Sequence, residues 1–436
     1  MSASIITYDN RLLSGLDLTD GQWNDLSQLC GRSVDSLCSD DDNTLLVFPN
    51  SFEVHGDKIG DSIIADIENR NNLRTYNMMG FIGCGDIQIK IKSRFDKGKD
   101  DYFMHYMLER VFAINLFDLK HSTSNESLFD FVLFLFPYFL NRALAQGIYR
   151  EYRTFRRNDA HLKGVLDVNR HIRTNIYQTG NIAYNSREHT TNNDLVQLIR
   201  HTVEHIRTKE FGEGILYRDE QTRGSVQQII EATPTYDKNS RGNVISRNLR
   251  PRIHPYYSHY EDLRQLCIRI LRHEQIKYGD NKNKVYGILF DGAWLWEEYL
   301  NTLLAPCGFK HPKNRENSGR IYLFSPNAAP RYPDFMKEGV ILDAKYKSYS
   351  GKISKELSRE DLAQIISYMY VEEALDGGVI VPGGTSAGCT TETLRGYGGK
   401  VHILNIPISK AENYNEFSHE MLSFEASFIN LISDRF

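Results

Sequence analysis

Arg331-Tyr332-Pro333-Asp334-Phe335-Met336-Lys337-Glu338-Gly339-Val340-Ile341-Leu342-Asp343-Ala344-Lys345-Tyr346-Lys347 is the stretch that decides how this chain is read. Two short strands around a Lys337-Glu338-Gly339 turn predict a hairpin. Side chains alternate along a strand, so Asp343, Lys345 and Lys347 are expected on one face, with Val340, Leu342, Ala344 and Tyr346 on the other. The hairpin would carry Asp334 back beside Asp343. Two carboxylates and an ammonium at one spot suit a hard divalent cation, which takes oxygen ligands, and a lysine able to hold or polarise a water. A merely solvated charged face is the alternative for so short a pattern.

The flanks favour the site. Residues 290–304 read as a helix with Asp291 as N-cap and Trp296, Tyr299, Leu300 and Leu303 as its buried stripe. Glu297 sits at the edge of that stripe, where it can reach inward; Glu298 is expected to point away. Downstream, Ser358-Arg359-Glu360-Asp361 reads as a capping box ahead of Leu362, Ile365, Ile366 and Met369 at helical spacing. Gln364 and Tyr368 stand one turn apart on another side of that helix. Helix, three strands, helix, then strands at 378–381 and 401–406 predict a mixed sheet flanked by helices.

These residues resemble the PD-(D/E)xK nuclease superfamily. Within it, Trp296-Glu297-Glu298-Tyr299, Tyr332-Pro333-Asp334 and Leu342-Asp343-Ala344-Lys345-Tyr346-Lys347 are similar to the McrC family, the nuclease subunit of McrBC-type modification-dependent restriction systems. Leu162-Lys163-Gly164-Val165-Leu166-Asp167, followed by Arg170 and Arg173, resembles the Leu-x-Gly-x-hydrophobic-Asp segment of that family's middle region. A fainter likeness around Gly80-Phe81-Ile82-Gly83 extends it towards the N-terminus.

The resemblance implies an α+β multidomain chain: a β-rich stalk domain over 1–115, a mainly helical middle region with a basic patch over 116–262, and an α/β restriction-endonuclease-like PD-(D/E)xK domain over 263–436. It implies metal-assisted hydrolysis of a DNA phosphodiester. Asp334 and Asp343 would ligate Mg²⁺ (Mn²⁺ is the alternative), with the Ala344 carbonyl as a further ligand. Lys345 would orient or help deprotonate the attacking water and stabilise charge on the phosphate. Glu297 would ligate the metal directly or through water, and Gln364 and Tyr368 would position Lys345 or the DNA backbone. Lys347 is a candidate phosphate contact.

The implied partners are an AAA+ GTPase ring, double-stranded DNA and a second copy of the complex for double-strand cleavage. GTP would be bound by the ring and not by this chain, whose stalk would enter the ring's central opening and stimulate it. Two other readings are a regulatory plug with an idle nuclease fold and a stand-alone repair nuclease.

Composition fits such a protein without proving it. With 436 residues, 41% hydrophobic and 25% charged, two or three domains with ample cores are expected. Six scattered cysteines without a CxxC pair argue against a disulfide scaffold or zinc ribbon and fit a reducing cytoplasm. Met1-Ser2-Ala3-Ser4-Ile5 lacks the basic start and apolar run of a signal peptide. Residues 131–140, interrupted by Pro137, are too short an apolar run to span a bilayer. A net charge of −4 leaves DNA contact to local patches. The richest lies between Arg142 and Arg173, where Arg153, Arg156 and Arg157 alternate with Tyr152 and Phe155. It could track phosphates, pair with acidic residues of a partner, or be a solvated face. Ser39-Asp40-Asp41-Asp42-Asn43 reads as an acidic turn.

Two tempting sites fail on their own chemistry. His201 and His205 are one helical turn apart but lack the adjoining Glu and an evident third ligand of a zinc site. Pro382-Gly383-Gly384-Thr385-Ser386-Ala387-Gly388 lacks the Gly-Lys-Ser/Thr that follows a phosphate-binding loop, so nothing here is expected to hydrolyse a nucleotide.

Overall fold

In the computed structural model, Phe335–Lys337 and Val340–Ala344 pair antiparallel, with Phe335 opposite Leu342 and Lys337 opposite Val340. Gly339 takes the turn at φ 74°, a conformation that side chains with a Cβ resist. The described residues are 3–38, 44–49, 59–69, 71–96, 101–112, 126–177, 180–209, 211–250, 253–277, 285–312, 319–349, 351–396 and 398–436. The acidic turn at 39–43 lies outside them.

The hairpin is the edge of a five-stranded sheet. Its order is Phe335–Lys337, Val340–Ala344, Asp376–Pro382, Lys400–Ile406 and Gly388–Thr393. The three inner strands are parallel and the outer two antiparallel. Gly377 to Pro382 are all buried, as a central parallel strand covered on both faces requires. The helix Arg359–Val371 packs Ile365, Tyr368 and Met369 against Ile341, Val379, Val381, Val401 and Ile403. Ile366, expected in that stripe, is 36% exposed, and Tyr368 takes its place.

The helix before the hairpin is Gly292–Leu304. Asp291 caps it, accepting from the backbone N–H groups of Ala293 and Trp294 at 2.8 and 2.9 Å. It starts later than its apolar pattern suggests, because Phe290 belongs to the buried strand Val285–Asp291. The expected stripe of Trp296, Tyr299, Leu300 and Leu303 is buried, and Trp296 Nε1 donates to the Ile380 carbonyl at 3.2 Å. Truncating Trp296 to alanine would cost about 3–5 kcal/mol, which shows how firmly this helix is fixed to the sheet.

Contacts divide the chain differently from boundaries at 115 and 262. One unit comprises 1–116 with 281–436, and the other 117–280. The physical reason is a strand exchange. The N-terminal sheet runs Ala3–Tyr8, Ile87–Lys92, Met78–Cys84, Val285–Asp291, Thr44–Phe48, so its fourth strand comes from beyond the middle region. Ile87–Lys92 alternates isoleucines with Gln88, Lys90 and Lys92. Gln88 and Lys92 are nonetheless only 8% and 5% exposed in this inner strand, which lies between Ala3–Tyr8 and Met78–Cys84.

The middle unit is helical with one addition. Glu126–Leu144 is a helix that contains Pro137 and includes the apolar run of 131–140. The basic stretch is no helix. Glu151–Asp159 pairs with Ile182–Thr190, which also pairs with Val165–Leu166, in a three-stranded antiparallel sheet. Gly164 sits so close to that sheet that a Cβ would lie 2.2 Å from the Asn185 carbonyl oxygen. Asp167 then caps the helix Val168–Thr174, accepting from Arg170 N–H at 3.1 Å. The Leu162–Asp167 motif is thus a device for a close turn and a helix start.

Candidate active site

The hairpin brings Asp334 and Asp343 together. Asp343 is 2% exposed. The backbone N–H of Ala344 donates to Asp334 Oδ2 at 2.6 Å, and Lys345 Nζ lies 2.7 Å from Asp343 Oδ2. Burial drives the Asp334 carboxyl well above its usual range, and the neighbouring Asp343 and Glu297 charges push the same way. Asp343 is raised by burial, against the pull of Lys345. Burial disfavours the Lys345 ammonium, yet the charges and hydrogen bond of Asp343 and the charges of Asp361 and Asp334 outweigh it and raise its pKa. Like charges crowded in a dry corner are costly unless something positive joins them.

Glu297 is near enough to act on Asp334 electrostatically, but its carboxylate also lies 3.7 Å from His311 Nε2. Glu298 does not point away: its carboxylate is 3.9 Å from the same nitrogen. His311 Nδ1 is 2.7 Å from the Asp334 carbonyl oxygen, which makes Nδ1 the donor. Burial lowers this imidazole's pKa, but the Glu298 hydrogen bond, the Asp334 carbonyl and the two glutamate charges raise it on balance. Nothing in the sequence around His311 marks it.

On the other side of Lys345 stands Asp361, 7% exposed. Its Oδ1 is 3.3 Å from Lys345 Nζ, and its Oδ2 accepts from Lys347 Nζ at 3.1 Å and Tyr349 Oη at 3.3 Å. Burial would raise this carboxyl, but hydrogen bonds from Lys347 and Ser358 and the two lysine charges hold it below its usual range. Lys345 Nζ also donates to Gln364 Oε1 at 3.5 Å, and Gln364 Nε2 donates to Tyr368 Oη at 3.0 Å. Asp361 was legible only as a capping residue, although 361, 364 and 368 share one helical face.

The next residue anchors the strand. Tyr346 is buried, its Oη 2.6 Å from Ser93 Oγ, with the Arg94 guanidinium 5.0 Å from its ring centroid. The N-terminal sheet thereby grips the backbone beside Lys345, within the same unit.

A hard divalent cation fits this chemistry: two adjacent carboxylates, Asp343 buried and Asp334 half-buried, favour protonation when no cation is present. Among the described residues no group of three or more His, Cys, Asp or Glu could hold a metal, so Glu297 does not complete a set with Asp334 and Asp343. Mg²⁺ commonly takes only one or two carboxylates and keeps water or phosphate oxygens.

The expected DNA contacts fare unevenly. Lys347 is 54% exposed but bound to Asp361, and Tyr368 is 3% exposed, which leaves its ring to the core and not to a DNA surface. In the middle unit Arg153 pairs with Glu151 at 3.0 Å and Asp194 at 2.5 Å, and Arg157 with Glu188 at 3.0 Å. Arg156 is exposed, and among the described residues it has no such partner. His201 is buried against Tyr236 and Ser240, and burial and the Arg241 charge lower its pKa to about 4.

The chain matches a family model described as McrBC 5-methylcytosine restriction system component over residues 73–381. The chain belongs to this family. Its fold is similar to a chain in a refined half-complex from a tetradecameric assembly of Thermococcus gammatolerans McrB AAA+ hexamers with bound McrC. That likeness has TM-score 0.50 and 16% identity, and covers 97% of this chain and 99% of that one. A second, from the cryo-EM structure of the Thermococcus gammatolerans McrBC complex, has TM-score 0.35 and 16% identity over 71% of this chain and 90% of that one. No curated protein matches in sequence. Among the described residues no helix is long and apolar enough to cross a membrane.

Proposed function

We propose that this McrBC component is the DNA endonuclease subunit of a GTP-dependent, modified-cytosine-directed restriction system, with a PD-(D/E)xK site. One observation carries the reading: a half-buried Asp334 lies against the buried Asp343, with Lys345 Nζ 2.7 Å from the second carboxylate.

Asp334 and Asp343 would hold Mg²⁺, with the Ala344 carbonyl as a further oxygen. When bound, the ion polarises a phosphodiester and lowers the pKa of a water. The rest is this chain's work. The Ala344 N–H fixes the Asp334 carboxylate, so that the ligand does not swing. Lys345, held as an ammonium, orients the attacking water and offers its N–H groups to the phosphate as negative charge builds. Gln364, braced by Tyr368, keeps that ammonium aimed. Glu297 and His311 form an outer pair: the imidazole ties the glutamate to the Asp334 backbone.

The partner reading rests on the family and on the relative's assembly with McrB AAA+ hexamers. An AAA+ GTPase ring would drive translocation, the N-terminal region would dock into it and stimulate it, and two complexes would meet for a double-strand break. The protein would act in the cytoplasm.

The test is cleavage of methylated and unmethylated DNA by the chain with its ring partner and GTP, comparing wild type with Asp343→Ala. Lost cutting with intact GTPase stimulation is expected. Cleavage that survives the substitution overturns the assignment. Robust cutting without partner or GTP would favour a stand-alone nuclease.

A further inference from the structure

We propose that Asp361 is the positioning residue for Lys345, retaining the ammonium when Asp343 turns to a divalent cation. This rests on the nuclease reading above. The geometry contains a conflict that Asp361 resolves. Lys345 Nζ now leans on Asp343 Oδ2 at 2.7 Å, the very carboxylate a cation would claim. One carboxylate oxygen cannot serve both at full strength, because the two positive charges repel at such range. Without another anion, a four-carbon side chain would swing away from the attacking water, gaining rotamer entropy as it left.

Asp361 is built to prevent that. Its Oδ1 already faces Nζ at 3.3 Å, while Oδ2 is held from behind by Lys347 and Tyr349. The backbone is fixed too: Asp361 N–H donates to Ser358 Oγ at 3.0 Å in the first turn of Arg359–Val371. A negative charge there is favoured by the helix dipole. Gln364 Oε1 at 3.5 Å is a neutral and more distant acceptor, and cannot replace a full charge. Lys347 and Tyr349 thus act through Asp361 to stiffen it.

The experiment compares wild type, Asp361→Asn and Asp361→Glu, each with the ring partner for cleavage and each alone for labelling. Asparagine keeps the shape, so the fold is expected to hold. The kcat for DNA cleavage should fall about 10–100-fold with KM for DNA unchanged, the range for outer groups that orient a metal site. Glutamate should recover part of that loss. In Mg²⁺, acetic anhydride labelling of Lys345, read by mass spectrometry, should be slow in wild type and faster in Asp361→Asn. The rise in melting temperature produced by Mg²⁺ should be the same in both, since Asp361 is no ligand. Unchanged kcat, or unchanged Lys345 labelling, overturns the proposal. Failure of the nuclease reading looks different: the wild type cuts nothing and its melting temperature ignores Mg²⁺. The Lys345 labelling then still decides whether Asp361 holds the ammonium.

Discussion

The two units treat charge in opposite ways. On the sheet of the middle unit, arginines stand towards the surface and two of them meet carboxylates, Arg153 with Glu151 and Asp194 and Arg157 with Glu188. One of its buried imidazoles, His201, is kept neutral by burial. At the Asp334–Asp343 corner, burial and like charges meet, and one lysine serves several carboxylates. A folded chain gains nothing in stability by crowding two carboxylates. The crowded corner favours a positively charged ligand, whereas two of the three arginines at 153–157 already have carboxylate partners.

Four measurements would sharpen or break that contrast. The largest effect is expected for Asp343→Ala, whose cleavage rate should fall at least about 10³-fold, because metal and ammonium lose a shared partner. Wild-type rates in that variant would place the chemistry elsewhere.

Next is the buried His201 of the middle unit. His201 has a folded pKa of about 4 against the ordinary 6.5, so stability is fully present above 6.5 and is lost as pH falls through 4. The loss amounts to as much as about 3 kcal/mol. Urea denaturation followed from pH 7 to 4 should show it, and His201→Gln should flatten the dependence. An equally steep curve in that variant would put the proton uptake on another group.

A smaller effect follows at the corner itself. Asp334→Asn should stabilise the cation-free protein by about 0.5–2 kcal/mol, since it removes one of two crowded charges and retains an acceptor for Ala344 N–H. Mg²⁺ should raise the melting temperature of wild type and leave this variant unmoved. If the variant melts lower without cation, the pair is structural.

The smallest belongs to Arg156. Arg156→Ala should leave the melting temperature alone, while a DNA-binding role predicts a salt slope shallower by about 1. Arg153→Ala, by contrast, should weaken folding through its broken pairs.

The legible parts of the fold were local. The Pro333–Lys345 hairpin, the Asp291 and Ser358 caps and the Trp296–Leu303 stripe all announce themselves, because turn chemistry and helical periodicity act over a few residues. The boundaries were harder. Nothing local tells that Val285–Asp291 completes a sheet with Thr44–Phe48, or that arginines 153–157 ride a strand. Their patterns are compatible with either assignment until partners arrive.

For the candidate site, sequence alone determined which charged groups come together. Asp334, Asp343 and Lys345 sit close along the chain, and a two-residue side-chain period must bring them near one another. Only the tertiary structure decided what surrounds them. His311 arrives from a loop before the hairpin, Asp361 from a helix after it, and Ser93 and Arg94 from the turn that follows the strand Ile87–Lys92. Burial sets how strongly those groups feel one another, and burial is a property of the whole packed unit that no short run of residues encodes.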